Sequence, residues 1–467
     1  GDTLHLSGCD DTATISGGTV GFDDGSQVRV SNGGITASGG LSVQGGGNTI
    51  AVNDGAVRLA GNTAASVAGS GDTVSGGAND SLALSGTNNR ATLTGAAIAL
   101  GSDSQLTVTG TGNAVTGGTG DSLTLTGTAN SAALSGATVT LGNGVAAKVS
   151  GAGDTINGGT GDSLSLSGQT QTVALSGAQV TLASNSGATV SGAGNSIAGG
   201  TGDALTLTGT GNVATLTGGA VTLGSGIQAA VGGNGNSIGG GTGDAVTLSG
   251  TGDTVALSGD SVTVAGGSAT TVSGTGLTVV GTNASLTMEG GSSVAVVGNN
   301  DSITGGTSDS LLLDGIGTIA SLSGGQVNLA DNSSVTVTGA DNTVIGGAND
   351  GVTTNGANTV VALNGGTVTL SGTGASAVTG DNDSVTVGAG TTATVTGAND
   401  NVTTAPTSGG VTVNGTGNTM NGSATTDAAY ANLVNAMAAF APSETGSASL
   451  ATTQVDQTQT LIAASNH

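Results

Sequence analysis

Gly117-Gly-Thr-Gly-Asp-Ser-Leu-Thr-Leu-Thr-Gly127 is the stretch from which the rest of the chain can be read. Its second half alternates. Leu123 and Leu125 point to one side of an extended chain, and Ser122, Thr124 and Thr126 to the other, which is the pattern of a half-buried strand. Its first half is a turn, with Gly for positive φ and an Asp whose short side chain bonds nearby backbone. The word Gly-Gly-Thr-Gly-Asp returns at Gly158, Gly199 and Gly240, with a constant spacing of 41. Variants begin at Gly76 (GGANDSLAL), Gly305 (GGTSDSLLL) and Gly346 (GGANDGVTT), and Gly39 opens a slightly shorter copy.

One copy, residues 117–157, holds five strand-like cores: SLTLTG, SAALSG, TVTLGN, AAKVSG and DTINGG. The elementary module is therefore one short strand and one turn, about eight residues. The step from Gly240 to Gly305 exceeds one repeat by 24. Ser261-Val-Thr-Val264 and Ser285-Leu-Thr-Met288 are alike and stand apart by that same amount, so three modules were duplicated on their own. A single such strand buries almost nothing, whereas stacked copies bury a continuous ladder of Leu and Val. The pattern predicts an all-β fold: a parallel β-solenoid, β-helix-like or β-roll-like, of ~41-residue repeats spanning 1–422. Two and three modules per coil both accommodate the spacing.

Composition agrees and excludes other classes. The chain has 467 residues with 93 Gly but only 2 Pro, so it is not collagen, and Pro is scarce because stacked strands need their N–H groups. One Cys, Cys9, cannot build a disulfide scaffold. No apolar run approaches a membrane span of roughly 18 residues. The four basic residues (Arg29, Arg58, Arg90, Lys148) lie in the first third, which argues against a nucleic-acid surface. Disorder does not require alternating Leu and Val. Of 29 acids all but Glu289 and Glu444 are Asp, the turn former rather than the helix former. The net charge of -25 leaves two readings, an acidic coat facing water or a ladder of carboxylates that bind calcium.

The two ends differ. Gly1-Asp-Thr-Leu-His-Leu-Ser enters the repeat at its fourth residue, which suggests part of a longer chain or an open end covered by another copy. The pattern changes near residue 423. Asp427 caps a predicted helix that runs to about Ala441 and stops at Pro442, with Tyr430, Leu433, Val434, Met437 and Phe440 on one face. Residues 423–467 are thus expected to be a helix and tail that act as a cap, an assembly element or an export signal.

The repeat Gly-Gly-Thr-Gly-Asp-Ser-Leu resembles the calcium-binding nonapeptide of haemolysin-type (RTX) proteins, Gly-Gly-x-Gly-x-Asp-x-apolar. The tail "LVNAMAAFAP … LIAASNH" resembles the C-termini of large bacterial repeat proteins exported by type I secretion. The resemblance implies an extracellular or cell-surface protein with an uncleaved C-terminal signal. It also implies calcium as a cofactor. This motif is one residue shorter than the nonapeptide and is not in strict tandem.

The candidate metal ligands are Asp80, Asp121, Asp162, Asp203, Asp244, Asp309 and Asp350, which share one repeat position. A second position alternates as Asp72, Asn113, Asp154, Asn195 and Asn236. The competing reading has these side chains satisfying turn N–H groups. Outward pairs such as Thr124/Thr126, Thr138/Thr140, Ser165/Ser167, Thr206/Thr208 and Thr247/Ser249 resemble the arrays of ice-binding proteins; Gln179 and Ala220 interrupt them. Catalysis is not expected, because no local cluster of Asp, Arg and His breaks the repeat. The expected role is structural or adhesive: an extracellular filament, surface-layer or adhesin-stalk component at a bacterial cell surface that associates with copies of itself. A calcium-binding secreted module and an ice-binding protein are the alternatives.

Overall fold

The computed structural model describes residues 3–422, apart from 7–13, 17–18, 23–28, 32–33, 38–39, 44–47 and 266–267, and gives side chains for the described residues from Val43 onward. The described residues form 52 strands and no helix. The pairings between them are parallel, as the sequence predicts. The predicted helix at 427–441 lies outside the described residues, as do Cys9 and the tail. Contacts divide the chain into two units, Gly1–Val246 and Thr247–His467.

In the first unit the chain visits two sheets in turn. Strand Gln105–Thr109 pairs with Ser122–Thr126, and that strand pairs with Thr138–Leu141. The strands between them, Ala114–Thr116, Thr128–Ser135 and Ala146–Ala152, pair in the other sheet. A coil therefore holds two modules. Gln105 lies opposite Ser122 and Ser122 opposite Thr138, so these two coils differ in length by a single residue; the following steps, Thr138 to Thr155 to Thr172 to Thr189, keep the longer length. The second unit is built the same way: Ser293–Val297 pairs with Ser310–Asp314 in one sheet, and Ser302–Thr304 with Thr318–Ser321 in the other.

Two strands per coil and five per repeat have a geometric result. Five is odd, so successive copies of the repeat start in opposite sheets. Ser122–Thr126 is in one sheet, Ser163–Ser167 in the other, and Ala204–Leu207 is back in the first. Equivalent residues of neighbouring repeats thus lie on opposite sides of the coil rather than in one row.

The core lies between the two sheets and follows from the alternation. Leu123 and Leu125 are fully buried, as are Leu164 and Leu166 of the next repeat. Burial of each such side chain contributes about 1.5–3 kcal/mol, and every coil adds several. Glycine is required where coils touch at the corners. Gly151 has φ +131°, and a Cβ there would overlap the carbonyl oxygen of Leu134 in the preceding coil. Asn supplies left-handed turn positions that need a side chain, as at Asn62 (φ 62°) and Asn185 (φ 61°).

Candidate functional site: the corner carboxylates

Among the described residues the aspartates fall into two groups by position, apart from Asp314 at an exposed strand end. Asp54, Asp103, Asp331, Asp341 and Asp381 sit on exposed turns. Fourteen others are buried, among them all seven candidate metal ligands: Asp80, Asp121, Asp162, Asp203, Asp244, Asp309 and Asp350. The expectation of an acidic coat is therefore corrected for these residues, since their carboxylates face the corners of the coil. The reason is the local backbone. The residue just before a strand closes a corner, and its short side chain reaches the N–H that the corner of the preceding coil leaves without a ladder partner.

The geometry repeats from copy to copy. Asp121 Oδ1 accepts the Ser104 N–H of the preceding coil at 3.0 Å, and its Oδ2 accepts the Gly118 N–H at 2.9 Å. Asp203 takes the Ser186 N–H at 2.9 Å and the Gly200 N–H at 2.7 Å. Asp309 and Asp350 do the same with Ser292 and Gly306, and with Ser333 and Gly347. In Asp80, Asp162 and Asp244 the first contact is kept, with Thr63, Val145 and Ile227 as donors at 2.9, 2.9 and 2.8 Å. The motif explains itself at this level. A Cβ on Gly117 would overlap Asp121 Oδ2 and crowd Leu134, so the first Gly makes room for the carboxylate. The second Gly offers its N–H to that carboxylate.

The second repeat position works in the same way with a different side chain. Asn113 Oδ1 accepts the Ala96 N–H at 3.0 Å, and its Nδ2 donates to the Leu93 carbonyl at 2.9 Å. Asn195 repeats this with Ala178 and Leu175, and Asn236 with Gly219 and Leu216. An Asp at this position keeps only the accepting half. Asp154 accepts from the Ala137 N–H at 3.0 Å, and its other oxygen lies 3.3 Å from Nε2 of Gln171, which also donates to the Gly151 carbonyl. Asp72 accepts from the Gly55 N–H, while its Oδ2 is buried without a hydrogen bond.

Two buried carboxylates follow one another near residue 400. Gly366 donates its N–H to Asp383 Oδ1, the Asp383 N–H goes to Asp400 Oδ1, and the Asp400 N–H goes to Asn418 Oδ1, at 2.9, 2.9 and 2.7 Å. Oδ2 of both Asp383 and Asp400 is buried without a hydrogen bond. Burial pushes the Asp383 carboxyl up to about 6; the Gly366 N–H opposes this, and the charges of Asp400 and Asp381 add to it. Burial also raises Asp72, Asp301 and Asp400, against the N–H groups of Gly55, Ala284 and Asp383.

This donor set does not fit calcium. Calcium takes six to eight oxygens, whereas the groups aimed at these carboxylates are N–H donors, one or two per side chain. Among the described residues no three His, Cys, Asp or Glu side chains gather around a common point. Adjacent coils present their carboxylates singly at each corner, separated by Asn, Ala or Gly at most steps.

The outward side chains are set by the register. Pairing brings Thr138, Thr155, Thr172, Thr189, Thr206 and Thr222 side by side on one face of the first unit. Thr107, Thr124 and Thr140 form a parallel row, and Thr109 and Thr126 meet at 3.0 Å through their hydroxyls. In the second unit Thr336, Thr353, Thr369, Thr386 and Thr403 are consecutive partners. Of the expected pairs, Thr124/Thr126, Thr138/Thr140 and Thr206 share this first-unit face, while Ser165/Ser167 lie in the other sheet. Gln179 is in that other sheet too, so it does not interrupt the threonine row. These rows are hidden in the sequence because their members are separated by one coil rather than by one repeat.

An open depression of about 330 Å³ beside Lys148 is lined by Ala129, Asn130, Ser131, Ser163, Ser165 and Thr181, among others. It brings no acid, His or Cys near the amine. The export and assembly candidates Tyr430, Leu433, Val434, Met437 and Phe440 lie outside the described residues. No helix among the described residues is long and apolar enough to cross a membrane. Compared with models of known protein families and with curated proteins, the chain matches none.

Proposed function

We propose that this protein is a structural element of the cell exterior, a stiff repeat body that forms or carries surface assemblies. One observation carries the reading. The polar residues that recur in every repeat are consumed in holding one coil to the next. Asp and Asn at the corners accept N–H groups from the preceding coil, Gly clears space for them, and Leu and Val fill the interior. What remains outside is a regular face of small hydroxyl and methyl side chains, suited to packing or hydration rather than to chemistry. A protein exposed outside the cell gains from two further properties. Lys and Arg number only 4 in 467 residues, which gives trypsin-like proteases few sites, and no disulfide is needed. Secretion by a C-terminal signal and attachment to a surface belong to this proposal.

Electron microscopy of the purified protein tests it. Filaments, lattices or end-to-end strings are the expected result. Isolated particles of one size at millimolar concentration would overturn self-assembly.

A second reading has its own observation, the rows of threonines in register. Strand spacing repeats their hydroxyls and methyls every ~4.8 Å along the face, a regular template for ordered water. Ice binding would show as thermal hysteresis of a dilute solution, and its absence at millimolar protein would end this reading.

A further inference from the structure

Three of the chain's four Lys and Arg residues stand in one sheet of the first unit. Arg58 lies opposite Ser42 and Ser75, and Ser75 lies opposite Thr92, which follows Arg90 by two residues on the same strand. Arg29 is the register partner of Ser42, so it stands in the row that Arg58 continues. Lys148 is in the other sheet. Strand Ala56–Leu59 holds Arg58 and strand Asn89–Thr94 holds Arg90, with strand Thr73–Ala78 between them. Two strand steps and two residues along the strand put their Cα atoms about 12 Å apart. Both side chains are exposed, and neither guanidinium is hydrogen-bonded or ion-paired among the described residues.

The chain does not neutralise this face from within. The strands of this sheet from Ala56–Leu59 to Ser237–Gly240 hold no Asp or Glu. The described acids of the first unit are buried at corners or, as with Asp54 and Asp103, exposed on turns. Repulsion from more distant acids is screened beyond about 8 Å at physiological salt. A ligand lying on the face therefore meets the arginines rather than the net charge of -25.

The neighbours of the arginines select the kind of anion. Arg90 lies opposite Thr73 and Thr107, and its row goes on through Thr124 and Thr140. The row of Arg58 goes on through Ser75, Thr92 and Thr109. Hydroxyl groups both donate and accept, which suits the hydroxyls of sugars. A guanidinium grips a carboxylate through two parallel N–H bonds. The rows cross the strands with a step of ~4.8 Å, so an extended polymer laid along them meets charge first and then hydroxyls. Nucleic-acid bases would have nothing to stack on, because no aromatic residue stands on the described strands of this sheet in the first unit.

We infer that this face binds an acidic polysaccharide, with carboxylates on Arg58 and Arg90 and sugar hydroxyls on the serine and threonine rows. The inference goes beyond the proposed function and does not depend on it, since a glycan is held whether or not copies of the chain associate.

The test is binding of the full chain to polygalacturonate at low ionic strength, read by thermophoresis, with neutral dextran as the blank. The parent should bind the acidic polymer and not the neutral one, and its affinity should fall as salt is added. Arg58→Ser combined with Arg90→Ser, which puts at both positions a residue already present in the rows, should weaken binding about tenfold or more. Lys148→Ser should leave it unchanged. Thr124→Arg, two strands beyond Arg90 in the same row, should tighten binding about threefold, a gain that misfolding cannot produce. A parent that does not bind, a double variant of unchanged affinity, or an equal loss from Lys148→Ser would overturn the inference. So would tighter binding of an oligothymidylate than of polygalacturonate carrying the same charge, which would make the face a nucleic-acid surface.

Discussion

Replacing Asp383 by Asn should make the coils around it more stable at neutral pH and remove their sensitivity to acid. Asp383 is 2% exposed, its Oδ1 holds the Gly366 N–H, and its Oδ2 has no hydrogen bond. A Cβ built on Gly380 would overlap the Leu363 carbonyl oxygen and meet Asp383 Oδ2, so those two acceptors share one small space. Asn at the matching place elsewhere fills that space with a donor: Asn113 Nδ2 bonds the carbonyl of Leu93 in the preceding coil at 2.9 Å, and Asn342 bonds Leu322 at 2.8 Å. The counterpart for position 383 is Leu363. The carboxyl at 383 is pushed up to about 6 from 3.8. The folded state therefore binds the proton more tightly than the unfolded chain does. Its contribution to stability is fully present below about pH 3.8 and is lost as the pH rises to about 6, by about 3 kcal/mol for a shift of this size. A long repeat array does not unfold in one step, so the right assay is local. Amide exchange of peptides spanning 366–404, corrected for intrinsic rates, should be slower at pH 5 than at pH 8 by about tenfold, since only the last unit of the shift lies between these pH values. Asp383→Asn should be slow at both. The reasoning fails if the variant exchanges faster than the parent at pH 8, or if the parent shows no difference between the two pH values.

Three other outcomes follow from the same geometry. Asp121→Ala leaves the Ser104 and Gly118 N–H groups without an acceptor and should cost about 2–4 kcal/mol by amide exchange of peptides spanning 104–126, while Asp121→Asn keeps the Ser104 bond and costs less. Leu164→Ala, at a fully buried position, should cost about 2–5 kcal/mol, and a cost below about 1 kcal/mol would mean that the interior is not close-packed. Melting with EDTA and with millimolar calcium should coincide, since the corner carboxylates are held by N–H groups; a calcium-dependent rise of several degrees would refute that account of them.

The solenoid is legible in the sequence because its signal is local. Alternating Leu and Ser or Thr in SLTLTG, with Gly and Asp at each end, is enough to define a strand and a turn, and repetition does the rest. The number of strands per coil is not legible, because it depends on which modules hydrogen-bond to each other, a long-range choice to which a spacing of 41 is blind. The same limit hides the threonine rows. The recurring Asp is visible at every copy, and accepting N–H groups is one of its two readings. Its burial is not visible. That depends on the direction in which a corner turns, and Gly117 decides it by leaving room on the inner side. The outward branched residues escape a sequence reading because Val280, Leu312 and Ile345 look like ordinary strand residues until the register shows that they face outward.

An odd number of strands per repeat on a coil of two strands also constrains how such a gene can grow. Copying one repeat unit adds two and a half coils and exchanges the faces of everything downstream, so a row such as Thr138 to Thr222 would be cut and continued on the far side. Copying two units restores the assignment. The isolated insertion between Gly240 and Gly305 carries three strands, and with one repeat it makes eight, an even number. Unequal crossing-over in this gene is therefore subject to a parity rule. Length changes that keep the decorated faces intact come in pairs, or in an odd repeat balanced by an odd fragment.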